Sequence, residues 1–242
     1  MGQQEGCIAH HFSRYATLSE NDRRQLDALE GAAIDVTKGQ VIWHEGDLVR
    51  DFCALRRGWA YSFRYMEDGT RHILDIFLPG DVIGLHEFSF RYRLSSVAML
   101  EDGEICTIAN RQLLSLLRES SSLMSVCFAV CSYRQAVLSE RLVHLSRRSA
   151  RQRVAYLLLK IFCRLQYNDD DPSECFRLPL SQQQLADALG LSPVHVSRTL
   201  TGFRQEGVIK LARGWVTVLD RPALASEGGV VGCLRDRVAH TA

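Results

Sequence analysis

The stretch that decides the fold is LSQQQLADALGLSPVHVSRTLTGFRQEG, residues 180–207. Ser181, followed three residues later by Gln184, forms the pattern of a capping box, which begins a helix. Gly190 permits the left-handed turn that ends this helix, and Ser192 before a proline caps a second helix. Each helix has an inward apolar face, formed by Leu185, Ala186 and Leu189 in the first and by Val196, Leu200 and Phe203 in the second. Two short helices around a glycine turn are typical of a DNA-binding helix-turn-helix.

A short hairpin with a basic tip is predicted after this motif. Its strands, 208–211 and 215–219, are separated by Ala212-Arg213-Gly214, which makes the motif a winged helix-turn-helix. The second helix of such a motif enters the major groove of DNA with its N-terminal residues at the base edges. The candidate base contacts are therefore Val194, His195, Ser197 and Arg198, and the candidate backbone contacts are Ser181, Gln182, Ser192 and Arg213. We expect Arg198 to bind guanine, and a phosphate contact is its alternative role.

The segment 34–109 predicts a small barrel or roll built from short strands. Short runs of β-branched and aromatic residues, such as Val41-Ile42-Trp43, alternate with turns that contain glycine. Asp68-Gly69 between two such runs is a hairpin signal, because glycine tolerates a positive φ.

One long helix is predicted over 121–145, where no glycine or proline interrupts the apolar periodicity. Two neighbouring heptad rows occur in it, one with Leu123, Val130 and Val137, and one with Met124, Cys131, Leu138 and Leu145. So wide an apolar stripe fits a helix that packs on its own β-roll and also on the same helix of a second copy. An interior helix of a single domain is the alternative. A further helix is predicted over 150–166, and the acidic stretch 168–172 predicts a solvated loop.

The composition, 242 residues with 46% hydrophobic and 24% charged, is that of a globular protein and excludes a disordered or collagen-like chain. The net charge of +1 conceals two unlike halves. Residues 1–145 hold 15 Lys+Arg and 19 Asp+Glu, a charge of −4, while residues 146–242 hold 14 and 9, a charge of +5. The basic half is the one with the helix-turn-helix, which supports a nucleic-acid partner.

The sequence also bears on the location of the protein in the cell and on the enzyme classes to which it could belong. The first twenty residues contain no signal-peptide core, so we expect a cytoplasmic protein whose eight cysteines are reduced thiols. The longest uncharged stretch, 120–133, is too short to cross a membrane. His44, His72 and His86 are scattered, without the paired histidines of a cupin-like metalloenzyme, the less favoured alternative. We therefore expect no catalytic residue, no metal and no cofactor.

Six segments together resemble the Crp/Fnr family of bacterial transcription regulators over almost the whole chain. They are 38–47 (KGQVIWHEGD), 78–84 (LPGDVIG), 147–155 (RRSARQRVA), 178–182 (LPLSQ), 189–192 (LGLS) and 196–198 (VSR). The resemblance implies an α+β fold that begins with a cyclic-nucleotide-binding-like sensor domain, an antiparallel, jelly-roll-like β-roll (1–120). A dimerisation helix and hinge (121–146), a winged helix-turn-helix DNA-binding domain (147–225) and a tail (226–242) follow. It also implies a homodimer that binds pseudopalindromic sites in double-stranded DNA, with RNA polymerase as a partner and an unidentified effector.

The candidate effector pocket departs from that of the cyclic-AMP-binding members. It contains Gly84, Leu85, His86 and Arg93. Leu85 stands where those members carry a glutamate for the ribose, and a ribose hydroxyl there would lose its acceptor. Arg93, followed by Leu94, stands where those members carry an arginine for the phosphate; we expect an exposed loop arginine, with a phosphate contact as the alternative. Cyclic AMP is therefore disfavoured. His86 lies near the haem-ligating histidine of a carbon-monoxide-sensing relative, but Gly84 stands at the position of the accompanying cysteine, so a structural or surface histidine is favoured.

Other sensor chemistry has limited support. The N-terminus offers only Cys7, whereas an iron–sulfur cluster normally needs four thiolates. Cys127 and Cys131 share a helix face at i, i+4 and are candidates for metal binding or oxidation; small buried apolar residues are the alternative role. In the second helix of the helix-turn-helix, Val194 replaces the glutamate of many oxygen- and nitrogen-responsive members. We therefore do not assume that this protein binds the operator half-site of those members.

Overall fold

The computed structural model describes residues 6–166 and 173–229. Two compact units divide these residues, the first with 6–64 and 74–136 and the second with 65–73, 137–166 and 173–229. The loop predicted at 168–172 and most of the predicted tail lie outside the described residues.

Eight strands form the predicted β-roll, and all the strand pairs described in it are antiparallel. They are β1 (Ala33–Val36), β2 (Val41–Trp43), β3 (Asp51–Arg57), β4 (Ala60–Tyr65), β5 (Arg71–Phe77), β6 (Val82–Ile83), β7 (Ser96–Met99) and β8 (Gly103–Ala109). One sheet has the order β1-β8-β3-β6 and the other β2-β7-β4-β5. Gly69, with φ at 79°, lies in the turn between β4 and β5, as predicted.

Four helices flank the roll in the first part of the chain. They are α1 (Cys7–Ser13), α2 (Glu20–Asp27), α3 (Asn110–Glu119) and the long α4 (Ser121–Arg147). Neither α1 nor α2 is predicted from the sequence. Both are short, and α2 has Leu26 as its single strongly apolar residue, so neither produces a clear helical periodicity.

The strand β3 separates two apolar cores, because its side chains alternate between the two faces of the sheet. Cys53 and Leu55 point into the roll, where they pack with Trp43 and Ile83 among others. Phe52 and Ala54 point the other way, into a core shared with α1, α2, α3 and α4. This sheet is therefore buried on both faces.

The helix α4 also has two unlike faces. Leu123, Val126 and Val130 are 0–3% exposed and belong to the core beneath α1. On the opposite side of the helix Met124, Phe128, Leu138 and Leu142 are 47%, 75%, 56% and 68% exposed. The predicted packing of α4 on its own roll is confirmed. Of the other predicted row, Met124 and Leu138 are exposed in the single chain, whereas Cys131 and Leu145 are partly buried.

The second unit contains the predicted winged helix-turn-helix. Its elements are α5 (Ala150–Gln166), β9 (Cys175–Arg177), α6 (Gln182–Leu189), α7 (Pro193–Gln205), β10 (Ile209–Ala212), β11 (Trp215–Val218) and α8 (Arg221–Gly228). The wing pairs Ala212 with Trp215, and β9 adds a third strand beside β11 that was not predicted. The helix α8 overlaps the start of the segment predicted to be a loose tail. With these elements the α+β fold class is confirmed.

The cysteines differ in state. Cys7, Cys53, Cys106, Cys127, Cys131 and Cys175 are free thiols. Cys163 is disulfide-bonded, so the expectation that every thiol is reduced is wrong for this residue.

Candidate functional site

The two helices of the motif begin and end as their sequence predicts. The Ser181 hydroxyl accepts from Gln184 N at 3.1 Å, while Gln184 Oε1 accepts from Ser181 N at 2.9 Å, which completes the capping box. Gly190 is left-handed, with φ at 61°, and ends α6. The Ser192 hydroxyl then accepts from His195 N at 3.3 Å, so α7 is capped and begins with a proline. Local side-chain chemistry therefore places the start of α7.

The predicted inward and outward residues of this motif lie on opposite sides. Val196, Leu200 and Phe203 are 0–7% exposed and pack inward. Of the predicted DNA contacts, Ser181, Gln182, Ser192, Val194, His195, Arg198 and Arg213 are exposed, and Ser197 is partly buried. Their accessibility is compatible with the predicted role, although the individual contacts with DNA remain predictions.

Arg198 is the outward cation at the centre of this surface. Across the described ranges its guanidinium makes no hydrogen bond or ion pair with another residue. Val194 and Arg198 are one turn apart, and the exposed Thr201 and Gln205 continue the same face of α7 at i+7 and i+11. These last two residues are not among the predicted DNA contacts, although helical spacing from Val194 identifies them.

The wing presents Arg213 in an unusual backbone conformation. It has φ at 50°, and it is the only non-glycine residue with a positive φ among those the structure describes. Gly214, with φ at 80°, completes a two-residue turn between β10 and β11. Two positive φ angles are typical of a type I′ hairpin turn, whose first position favours asparagine or glycine. The arginine is therefore not the residue that this turn prefers.

Arg151 in α5 contacts residues at the C-terminal end of α7. Its guanidinium donates to both carboxylate oxygens of Glu206 and, at 2.9 Å from Nε, to Glu227 Oε2. It also lies over the Phe203 ring, 4.2 Å from the centroid. These hydrogen bonds raise the pKa of Arg151 and keep it charged. These contacts hold the C-terminal end of α7 against α5 and α8.

The candidate effector pocket in the β-roll differs from its prediction. Arg93, expected to be exposed, is 3% exposed, so that expectation is wrong. Its guanidinium donates to Glu87 Oε2 at 3.1 Å and to Asp51 Oδ1 at 3.1 Å, and it lies 3.8 Å from the centroid of the Trp43 ring. Since these partners come from separate places in the chain, the local sequence around Arg93 does not reveal its burial.

The other predicted pocket residues are divided between different environments. Gly84 lies beside Arg93: its φ is +84°, and a Cβ there would come within 2.9 Å of Arg93 Nη1 and 3.1 Å of the Trp43 ring. Leu85 instead belongs to the core shared with α1 and α4, away from the roll interior. The His86 side chain is 60% exposed. Only Gly84 and Arg93 of the four are thus brought into contact.

The two cysteines proposed for redox chemistry lie together on α4. A hydrogen bond between their thiols lowers the pKa of Cys131 and raises that of Cys127. Cys127 is 5% exposed, whereas Cys131 is partly exposed. The pair therefore contains one thiol with a favoured thiolate.

Metal and membrane sites have no support in residues 6–166 and 173–229. No cluster of three or more His, Cys, Asp or Glu side chains there is suitable for a metal ion. Within the same ranges, none of the helices has the length and apolar character that crossing a bilayer requires.

Sequence models of two domain families match this chain in tandem. A model described as a cyclic nucleotide-binding domain matches residues 33–120, and one described as a Crp-like helix-turn-helix domain matches residues 152–227. The first match covers the β-roll, and the second covers α7 and the wing.

Among characterised relatives, the Fumarate and nitrate reduction regulatory protein of Shigella dysenteriae is 26% identical over 234 residues, which cover 94% of this chain and 93% of the relative. The protein of the same name from Vibrio cholerae is 27% identical over 235 residues, with 94% of each chain covered. The likeness therefore extends over both units.

Solved structures show the same fold. FixK2 from Bradyrhizobium japonicum has a TM-score of 0.76 at 22% identity, with 83% of this chain and 98% of the other covered. A CRP-family transcriptional regulator from Thermus thermophilus has a TM-score of 0.64 at 22% identity over the same shares of the chains.

Proposed function

This chain belongs to the Crp/Fnr family of transcription regulators, with a sensing domain and a DNA-binding helix-turn-helix, and we propose that it binds pseudopalindromic promoter DNA as a homodimer. In this proposal the β-roll and α4 respond to an effector or redox signal and set the spacing of two recognition helices. The productive spacing is about one turn of DNA, ~34 Å. The observation that carries the proposal is Arg198, which is exposed on a capped recognition helix and whose side chain has no partner among the residues that the structure describes.

The homodimer is supported by the exposed face of α4. Met124, Cys131 and Leu138 recur every seven residues, and Phe128 and Leu142 lie four residues after members of this row, as in a coiled-coil seam. Phe128 and Leu142 are 75% and 68% exposed in the single chain. A contiguous apolar stripe in contact with water marks an interaction surface, and an interior helix would not leave it open. A second copy of α4 supplies a matching stripe.

Base recognition is proposed for the start of α7. Arg198 can donate to both acceptors of guanine in the major groove, while Val194 can make only an apolar contact, for example with the methyl group of thymine. Ser181, Gln182, Ser192 and Arg213 are proposed to contact the DNA backbone, which positions the protein without selecting a sequence. His195 and Ser197 are the remaining proposed contacts at the base edges.

Selection of bound DNA from a random pool tests these proposals together. The wild-type protein is expected to enrich two inverted half-sites about one DNA turn apart. Arg198→Ala is expected to lose about 1–3 kcal/mol of discrimination while it retains salt-dependent binding to any duplex. Arg118→Ala, which removes an exposed arginine from α3, is the matched control. Unchanged site preference in Arg198→Ala would defeat the assignment, and enrichment of a single half-site would defeat the dimeric one.

Besides a bound effector, oxidation of the thiol pair on α4 is the second candidate for the signal. The hydrogen bond that lowers the pKa of Cys131 favours the reactive thiolate. Repeating the selection with and without an oxidant tests this candidate, with Cys131→Ser as the variant expected to lose any response. Unaltered oxidant sensitivity in Cys131→Ser would exclude it.

Promoter DNA and RNA polymerase are the proposed partners, and the cytoplasm, where both are found in bacteria, is the proposed location. Because the relatives are transcription regulators, we propose a regulatory and not an enzymatic role.

A further inference from the structure

The carboxylate of Glu87 is enclosed inside the β-roll. Its side chain is 1% exposed, as buried as the guanidinium of Arg93 at 2%. Oε2 accepts from Arg93 Nη1 at 3.1 Å, and Oε1 accepts from the backbone N–H of Leu94 at 2.9 Å. A buried charge is stable only when it is paired and hydrogen-bonded, and here each oxygen has its own donor.

The donors around Glu87 are those that a protein uses to bind phosphate. A guanidinium N–H and a backbone N–H converge on two oxygens of one anion. The opposite side of the guanidinium is occupied as well, since Nη2 donates to the carbonyl oxygen and to Oδ1 of Asp51. Trp43 covers its face at 3.8 Å. Both terminal nitrogens of the Arg93 guanidinium are therefore already bound by the protein's own groups.

We propose that Glu87 is a built-in anion that closes the roll to phosphate-bearing ligands, cyclic nucleotides included, and that removal of its carboxylate opens the place to a small external anion. A phosphate beside Arg93 would have to displace Glu87 and would bring a second negative charge near Asp51, which repulsion between like charges opposes. Any effector of this roll is consequently recognised by groups other than Arg93. The proposal concerns ligand binding alone, so its outcome is independent of the proposed DNA recognition.

Chemical rescue of full-length Glu87→Ala tests the proposal. Truncation leaves Arg93 Nη1 and Leu94 N without their acceptor, so the thermal unfolding midpoint is expected to fall. Acetate or inorganic phosphate, compared with sodium chloride at equal ionic strength, is expected to raise the midpoint of this variant by about 2–4 °C. The wild type is expected to show no such anion-specific rise. Glu45→Ala, which removes a carboxylate from an exposed pair with Arg64, is the matched control and is also expected to show none.

A second variant and a second measurement complete the test. Glu87→Ala/Arg93→Met removes both charges, and the double variant is expected to fold without any anion-dependent rise. The proposal is overturned if folded Glu87→Ala is stabilised by neither anion, or if the wild type is stabilised equally. Should Glu87→Ala fail to fold, calorimetric titration of the wild type with cyclic AMP decides between the outcomes. Binding overturns the proposal. Absence of binding up to about 1 mM cyclic AMP, the concentration at which a Kd corresponds to a binding free energy of about −4.1 kcal/mol, supports it.

Discussion

Replacement of Arg213 by asparagine should make the protein more stable and its DNA binding weaker. Arg213 occupies the first position of the two-residue wing turn with φ at 50°, where a residue with a long side chain is strained. Asparagine tolerates this conformation better, because its short polar side chain hydrogen-bonds locally. Arg213 is also exposed and, within the described part of the chain, without a partner, so the substitution breaks no contact that supports the fold.

Backbone strain determines the size of the first effect, and the number of phosphate contacts determines the size of the second. A left-handed conformation costs an ordinary residue about 1–2 kcal/mol, of which we expect Arg213→Asn to recover about 0.5–1 kcal/mol. For a chain of this length, that gain corresponds to a rise of about 1–4 °C in the unfolding midpoint. If each wing of a dimer contacts one phosphate, two contacts are lost. The slope of log K against log salt concentration should then become shallower by about 1.8, at ~0.9 for each phosphate.

Thermal unfolding and salt-dependent fluorescence anisotropy with duplex DNA measure the two effects separately. Arg213→Lys is the control, because it keeps the charge and the unfavourable φ; we expect its stability and its salt slope to match the wild type. A salt slope that is unchanged in Arg213→Asn would show that Arg213 does not contact phosphate. A lower unfolding midpoint would refute the argument from backbone strain.

Three further substitutions test the packing described above. Burial lowers the pKa of His11 well below its usual value, so it stays neutral when folded but takes up a proton below pH ~6.5 when unfolded. The free energy of unfolding of the wild type should thus fall as the pH drops from 7.5 to 5.5. Urea titrations of His11→Gln should show a smaller fall than those of the wild type, and an equal fall would exclude His11 as a cause. Gly84→Ala should destabilise the protein by about 1–3 kcal/mol more than Gly69→Ala in urea, because both have a positive φ but only Gly84 has neighbours within 4 Å; equal losses would contradict the close packing. Phe128→Glu should produce a monomer in light scattering, because it places a charge in the proposed seam, whereas Val143→Glu, exposed but outside the heptad positions, should not; a dimer in both would place the interface elsewhere.

The sequence predicts those parts of the fold that short-range chemistry determines. Ser181, Gln184 and Gly190 interact with backbone within four residues, so the capped helix and its turn follow from spacing alone. The wing hairpin is predicted for the same reason.

Features that depend on distant partners are not visible in the local sequence. The burial of Arg93 requires Asp51 and Trp43, which lie 42 and 50 positions earlier in the chain. The helix α1 likewise owes its place to the contacts of Ile8 and Phe12 with the common core, since its own sequence has little helical signal. The base contacts of α7 are predicted as a face, but which bases they meet depends on DNA that the sequence does not contain.

The two-sided burial of β3 has a mechanical consequence. Cys53 and Leu55 line the interior of the roll, while their chain neighbours Phe52 and Ala54 touch the core that contains α4. Close-packed interiors transmit displacement because they have little free volume to absorb it. A displacement of β3 on the roll side therefore also displaces Phe52 and Ala54 within the core that holds Ile8, Val126 and Val130. Because β3 contributes side chains to both cores, a substitution on one of its faces should change the packing on the other face.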